Sequence, residues 1–292
     1  MQRQGFNRIS VGVQDFNDEV QHLINREQDE ALIFGLIERA TRLGFRSTNI
    51  DLIYGLPRQT LDRLAYTLQR VIALGPQRLS VFNYAHMPTL FAAQRKLKDA
   101  DLPDAAQKLA LLQYSIATLT GAGYQFIGMD HFARPDDELA LAQREGRLHR
   151  NFQGYTTQGG CDLLGLGLSG DHYAQNQKVM RSYRDAVNRQ GNGLWRGVAL
   201  SRDDCLRRDV IKALICQFRL DYHVIETAYG IRFTDYFAED LAQMAPLVED
   251  GLVTMSAGAL EITPGAACWC AISACVSMPI CAPASVNVSF PG

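Results

Sequence analysis

The side chains able to do chemistry in this chain collect where apolar runs end. Gln14 closes FNRISVGVQ, Asp51 and Tyr54 come late in STNIDLIYG, Asn83, Tyr84 and His86 end RLSVFNYAH, and Asp130 and His131 end YQFIGMDH. Taken singly, each is explained more simply as a helix cap or a satisfied turn residue. Taken together, polar groups at four successive run ends point to one shared ligand pocket, because ligands bind at the carboxyl ends of parallel strands. Asp51 raises the question most sharply: it is a carboxylate set among Ile50, Leu52 and Ile53, just before the Gly55-Leu56-Pro57 turn.

Two other sets of reactive residues carry less. Of seven cysteines, Cys161, Cys205 and Cys216 are scattered, whereas Cys268, Cys270, Cys275 and Cys281 crowd into the last 25 residues. Their spacings of 2, 5 and 6 are not those of a zinc finger or ribbon. The uncharged tail 265–292 has neither helical stripe nor alternation, reads as wrong-frame translation, and is expected to be disordered. Nothing resembles a secreted disulfide framework. Gly165, Gly167 and Gly170 are a weak phosphate-loop signal without a strand-to-helix setting.

The elements that must position the polar ends follow from periodicity. Residues 29–43 place Ile33, Leu36, Ile37 and Ala40 on one helical face, with Asn25 as a candidate cap and Gln28 three residues later. Residues 60–75 carry the stripe Leu61, Leu64, Ala65, Leu68, Val71 and Ile72, stopped by Gly75-Pro76. Leu109, Leu112, Ile116 and Leu119 form a third apolar face. Strand and helix thus alternate, which predicts an α/β fold with a parallel sheet, since each return needs a crossover helix. A barrel, a partial barrel and an open doubly wound sheet all satisfy this rhythm.

From residue 201 the rhythm changes. A helix capped by Ser201 runs through Val210, Leu214 and Phe218, a second spans 235–249, and DGLVTMSAGALEIT reads as a hairpin around Ser256-Ala257-Gly258. Helix, helix and hairpin make a small winged-helix-like region, which points either to DNA binding or to packing; the balanced charge favours packing. The 292 residues are 47% hydrophobic and 21% charged, with net charge −2, which gives no electrostatic argument for nucleic acid or an anionic membrane. No run approaches the roughly 18 apolar residues of a membrane span, and no signal-peptide stretch opens the sequence, so a cytoplasmic location is expected.

NRISVGVQDFNDEVQHLINREQ, NIDLIYGLP, RLSVFNYAHMPT, YQFIGMDHFARPDDELA and LHRNFQGYTTQ occur together and in this order. In this the chain resembles the oxygen-independent coproporphyrinogen III oxidases, radical S-adenosylmethionine enzymes of haem biosynthesis, from about residue 2 to about residue 264. The resemblance implies a partial (β/α) barrel over 1–200, the helical region 201–264, and the aberrant tail. It implies S-adenosylmethionine beside a 4Fe-4S cluster, a 5′-deoxyadenosyl radical, and the conversion of two propionates of coproporphyrinogen III to vinyls, giving protoporphyrinogen IX. A protein reductant such as a flavodoxin and a monomeric state go with the family. Gln14, Arg26 and Asp51 match contacts to the second of two S-adenosylmethionine molecules, and Ala85 a contact to the first. Asp51 would then accept hydrogen bonds from an ammonium or ribose hydroxyl, and Arg26 would pair with a carboxylate. Without the resemblance, Arg26 reads as half of a helix-surface ion pair.

The chain departs from that pattern. The family holds its cluster with CxxxCxxC, a spacing found nowhere in these 292 residues. Residues 161–177 are shorter than the family's by about five apolar residues, and the tail after Thr263 replaces a charged helix. The expectation is therefore a fragment or interrupted gene product, unable alone to make the radical, with exposed strand edges that favour aggregation. The porphyrinogen's carboxylates need cations, for which Arg134, His149 and Arg150 are candidates by type.

Overall fold

In β1 (Arg8–Gln14) and β2 (Ser47–Tyr54) side chains alternate between two faces, and this separates the core from the polar groups. The computed structural model describes residues 2–151, 153–159, 161, 174–263, 266 and 287–288. The four tail cysteines and residues 162–173 lie outside these. The described chain forms two units, 1–141 and 142–292.

In the first unit, β1 leads through α1 (Asp18–Leu23) and α2 (Glu30–Arg42) to β2. Helix α3 (Leu61–Leu74) leads to β3 (Arg78–Asn83), and α4 (Ala105–Gly121) to β4 (Gln125–Gly128), β5 (His131–Ala133) and α5 (Glu138–Arg144). The sheet order is β1-β2-β3-β5-β4, with β1, β2 and β3 parallel. One face is dry. Val13, Ile50, Leu52, Leu79 and Val81 pack with Ile33, Ile37, Leu64, Leu68, Val71, Leu111 and Leu119 from the helices. Burying each such side chain contributes about 1.5–3 kcal/mol.

The helices start and stop for local reasons. The Thr60 side chain accepts from the Arg63 N–H, and Gly75, left-handed at φ +65°, ends α3. Asp104 and Gln107 form a reciprocal capping box on α4. Helix α2 is capped by Asp29 and not by Asn25, whose φ of +53° belongs to the preceding turn. Leu36, expected on the buried face, is 43% exposed, because the dry stripe narrows to Ile33, Ile37 and Ala40.

The fourth strand expected over YQFIGMDHFA is a hairpin. Met129, at φ +51°, and Gly128, at φ +140°, reverse the chain, and β5 inserts antiparallel between β3 and β4. Phe126 and Phe132, 5.1 Å apart, pack across it. The parallel part of the sheet is thus three strands.

The second unit holds the β6 (His149–Asn151)–β7 (Gly154–Thr156) hairpin, then β8 (Ala174–Asn176), α6 (Met180–Gln190) and β9 (Leu194–Val198). Helix α7 (Arg202–Gln217) has the expected Ser201 cap, closed into a box by Asp204, and stops where Phe218 turns left-handed at φ +56°. An unanticipated strand, β10 (Arg219–Asp221), follows, then α8 (Tyr222–Tyr229). The single helix expected over 235–249 is three short ones: α9 (Phe233–Tyr236), α10 (Ala238–Gln243) and α11 (Ala245–Glu249). Pro246, in the first turn of α11, has no N–H to continue the preceding turn. Strands β11 (Val253–Met255) and β12 (Ala259–Ile262) form the expected hairpin around Ser256-Ala257-Gly258, and β10 completes that sheet in the order β10-β12-β11. A last short strand, β13 (Asn287–Val288), pairs with β9. Among the described residues, no helix is long and apolar enough to cross a membrane.

Candidate functional site

The alternation that buries Ile50 and Leu52 turns Asn49 and Asp51 to the opposite face of the sheet. Asp51 pairs in register with Gly12 of β1 and Ser80 of β3. The Asn49 side-chain nitrogen lies 2.7 Å from Asp51 Oδ1, 3.0 Å from Ser10 Oγ and 3.2 Å from Ser80 Oγ, and the Ser10 hydroxyl donates to Asp51 Oδ2 at 3.1 Å. Asp51 is therefore a half-buried carboxylate held by neutral donors, with no ion pair to a described basic side chain. That is why an acid sits in an apolar strand: it is on the strand's other side.

Gln14 and Arg26 converge on the same place. Pairing slips between Gly12 and Gln14, where Gln14 takes a left-handed φ of +71°. Such bulges re-aim a side chain at a strand end. Arg26 lies between α1 and α2, and its Nη2 donates to the Gly12 carbonyl at 2.7 Å. It makes no ion pair among the described residues, so the helix-surface alternative does not hold. Both side chains fold over Gly12: a Cβ there would stand 2.7 Å from Gln14 Nε2 and 3.3 Å from Arg26 Nη2. Amide and guanidinium thus lie over one glycine, and the carboxylate of Asp51 stands in register with it on the neighbouring parallel strand.

Ala85 is not part of this cluster. It is exposed in the loop after β3, where its carbonyl accepts from Gln94 Nε2 at 3.0 Å. Beside it, the Tyr84 hydroxyl is 3.1 Å from His86 Nδ1, His86 Nε2 is 3.2 Å from Asp99, and burial pushes the Tyr84 phenol up. The Tyr84 N–H donates to the Tyr54 carbonyl at 2.9 Å, tying the ends of β3 and β2. Asp130 and His131, expected to end a strand, lie at the hairpin turn and the start of β5. The Asp130 carbonyl accepts from the Val81 N–H, and His131 pairs in register with Ser80, its ring edge-on to Phe82 at 6.0 Å.

The sequence did not single out Ser10, Gly12, Asn49, Ser80 or Asp15. The first four carried a signal, a polar or small residue at every second position of an apolar strand. Asp15 carried none, because its partners come from distant segments. It is fully buried, and burial pushes its carboxyl above the usual 3.8 against hydrogen bonds from Thr67, Asn17 and Gln59.

Arg134 follows β5 and lies at the amino-terminal end of β3, away from the cluster, where it covers Tyr124 at 5.3 Å; its N–H donates to the Gln77 carbonyl. In the second unit, His149 packs so closely on Gly159 that a Cβ there would meet its ring at 2.2 Å, and Arg150 lies over Tyr155 at 4.8 Å. A hollow of about 440 Å³ is lined by Asp18, Gln21, His22, Glu27, Gln28 and Asp29. It neighbours the cluster through Gln28, which donates to the Val13 carbonyl at 2.8 Å, but the cluster residues do not line it.

Among the described residues, no three His, Cys, Asp or Glu side chains form a metal site, and Cys161 and Cys205 are free thiols. No described thiols gather in the way an iron–sulfur cluster needs. The Gly12 cradle, with a cation, an amide and a carboxylate around it, does fit a zwitterionic ligand bearing hydroxyl groups.

The pattern of the Radical SAM superfamily matches residues 1–71. The oxygen-independent coproporphyrinogen III oxidase of Salmonella typhimurium (strain LT2) is 65% identical over 268 residues, which are 90% of this chain and 59% of that protein. The protein of the same name from Thermostichus vulcanus is 46% identical over 266 residues, covering 89% of this chain and 82% of that one. A solved structure of coproporphyrinogen III oxidase from Escherichia coli, described as a radical SAM enzyme, is 62% identical with TM-score 0.91 and covers 94% of this chain and 65% of its own. The chain spans about three-fifths of the length of the Salmonella relative. On this similarity, the chain belongs to the family of oxygen-independent coproporphyrinogen III oxidases.

Proposed function

We propose that Gln14, Arg26 and Asp51 bind S-adenosylmethionine at the carboxyl ends of β1 and β2, in a chain serving the oxidative decarboxylation of coproporphyrinogen III to protoporphyrinogen IX. The observation that carries this is the convergence of Gln14 and Arg26 over Gly12, the register partner of Asp51. The Arg26 guanidinium is anchored by one nitrogen and keeps donors for the ligand's carboxylate. Asp51, held in place by Asn49 and Ser10, keeps lone pairs for an ammonium or ribose hydroxyl. Gln14 offers an amide at the bulge. Ala85, from the loop after β3, takes a contact to a first molecule of the same cofactor. In the family as a whole, S-adenosylmethionine beside an iron–sulfur cluster would supply the one-electron chemistry that propionate oxidation needs; no described residues here gather to hold that cluster. This chain's part is to hold, orient and shield the ligand.

The sheet of the first unit is read as part of a (β/α) barrel wall, and residues 201–264 as a winged-helix-like packing region. A protein reductant such as a flavodoxin and a cytosolic setting complete the reading. Calorimetric titration of the chain with S-adenosylmethionine tests it: the wild type gives binding heat, and Asp51→Ala or Arg26→Ala removes it. No heat from the folded wild type overturns the assignment.

The absence of CxxxCxxC from the sequence favours a second reading, a non-catalytic fragment that binds S-adenosylmethionine or a porphyrin. Reconstitution with iron and sulfide separates the two. Binding without cofactor cleavage supports the fragment, and cleavage refutes it.

A further inference from the structure

We infer that Asp15 is the positioning residue of the S-adenosylmethionine cluster, a buried carboxylate that locks the exits of β1 and β2 together and so aims Gln14. The inference rests on the proposed function. Asp15 is 0% exposed. Its Oδ1 accepts from the Asn17 N–H and the Thr67 hydroxyl, each at 2.6 Å, and its Oδ2 accepts from Gln59 Nε2 at 2.6 Å.

Each partner is itself oriented. The Thr67 hydroxyl accepts from the Phe16 N–H at 3.0 Å, so its proton is free for Asp15. Gln59 donates also to the Ile53 carbonyl at 3.0 Å, and its oxygen accepts from the Gly55 N–H at 2.7 Å and the Leu56 N–H at 3.3 Å. The Asp15 carbonyl accepts from Gln21 Nε2 at 2.8 Å. All three groups on the carboxylate are donors, and only a group that accepts at every position satisfies them.

The network spans separate segments. Gln59 holds the Gly55-Leu56-Pro57 turn that ends β2, Thr67 belongs to α3, and Asp15 is the residue after Gln14. Gln14 sits in a left-handed conformation costly for a residue with a Cβ, and such conformations persist where the surroundings over-determine them. Asp15 supplies that constraint on one side and the slip beside Gly12 on the other. A buried carboxylate with three directed donors is stiff, and an unpaired donor there is expensive, so the geometry has one well.

Asp15→Asn puts an NH2 against a donor on one side or the other, so the clamp opens. The experiment compares Asp15→Asn, Gln59→Met, Thr67→Val and the double variant Asp15→Asn/Gln59→Glu. Gln59→Met breaks the tie to the turn but leaves the Asn17 and Thr67 bonds, which guards against a first variant that does not fold. Two readouts are made on each folded chain: calorimetric S-adenosylmethionine affinity, and amide hydrogen exchange at Gly55 and Leu56.

Asp15→Asn and Gln59→Met are expected to weaken binding on the order of tenfold or more, and to speed exchange at both amides. Thr67→Val loses stability but keeps the Asp15–Gln59 tie, so its affinity stays within about twofold of wild type. The double variant sets the introduced side-chain amide against a carboxylate acceptor and recovers part of the affinity. Unchanged affinity in Asp15→Asn and Gln59→Met despite faster exchange overturns the positioning role alone, and equal losses in Thr67→Val do the same. A wild type with slow exchange at both amides and no binding overturns the ligand assignment, and the positioning role with it.

Discussion

Substituting Gly12 separates ligand binding from stability. In Gly12→Ala the new Cβ stands 2.7 Å from Gln14 Nε2 and 3.3 Å from Arg26 Nη2. Gly12 is not among the residues with positive φ, so alanine fits its backbone. Alanine also lowers the entropy of the unfolded chain, worth about 0.4–1 kcal/mol. Against this stands the displacement of Gln14's side-chain end, which is flexible and exposed enough to move, and strain on the Arg26 bond to the Gly12 carbonyl. The terms nearly cancel, so urea midpoints of the two chains should agree to within roughly 1 kcal/mol. Binding does not share this cancellation. The methyl pushes the amide and guanidinium off the positions where they meet the ligand. Losing one hydrogen bond to a charged group costs about 1.5–3 kcal/mol, or roughly 10- to 150-fold in affinity. Calorimetric titration with S-adenosylmethionine, paired with urea unfolding, reads both quantities. A folded Gly12→Ala chain that binds as tightly as wild type would refute the claim that Gln14 and Arg26 meet the ligand over this glycine.

Other outcomes follow from single features. Burial holds the Asp15 carboxyl above 3.8, and no charged side chain is among the causes, its neighbours being Thr67 from α3, Gln59 from the turn after β2, and Asn17. The folded state therefore binds this proton more tightly than the unfolded chain. Its stabilising contribution is full below about pH 3.8 and is lost as pH rises through the raised value. The difference between wild type and Asp15→Asn in urea unfolding across acidic pH should carry that slope, since the other carboxylates are common to both chains. Ser201→Ala removes the hydroxyl that accepts from the Asp204 N–H, leaves the backbone half of the α7 capping box, and should cost about 1 kcal/mol in thermal unfolding; no change would mean the hydroxyl cap contributes nothing. Leu68→Ala opens a hole at a fully buried position between α3 and the sheet and should cost about 2–5 kcal/mol by urea unfolding. The Tyr229 phenol, half-buried and bonded to Asp209 at 2.6 Å, is pushed up to about 12, so its ultraviolet titration should lag the exposed tyrosines and disappear in Tyr229→Phe.

The linear sequence determined the alternation of strand and helix, most of the dry stripe of α3, the Ser201 cap and the hairpin after residue 251, because each depends on residues within a few positions of one another. Leu61 of that stripe is exposed, and the buried line of α4 runs through Leu111, Ser115 and Leu119, sharing only Leu119 with the face read from periodicity. It also exposed Asp51 as an anomaly, and its longer motifs carried the family. Tertiary structure decided what depends on distant partners. That YQFIGMDHFA folds back on itself was set by a left-handed Met129 and by the vacant edge of β3, neither of which has a periodic signature. Arg26 left no trace of its partner because the Gly12 carbonyl is backbone. Asp15 and Gln59 are 44 residues apart, and burial makes their bond matter, which a string of residue types does not contain. Local order follows from propensity and period, whereas the site needs strand ends brought together in three dimensions, where a carboxylate's cost and its use are fixed by what surrounds it.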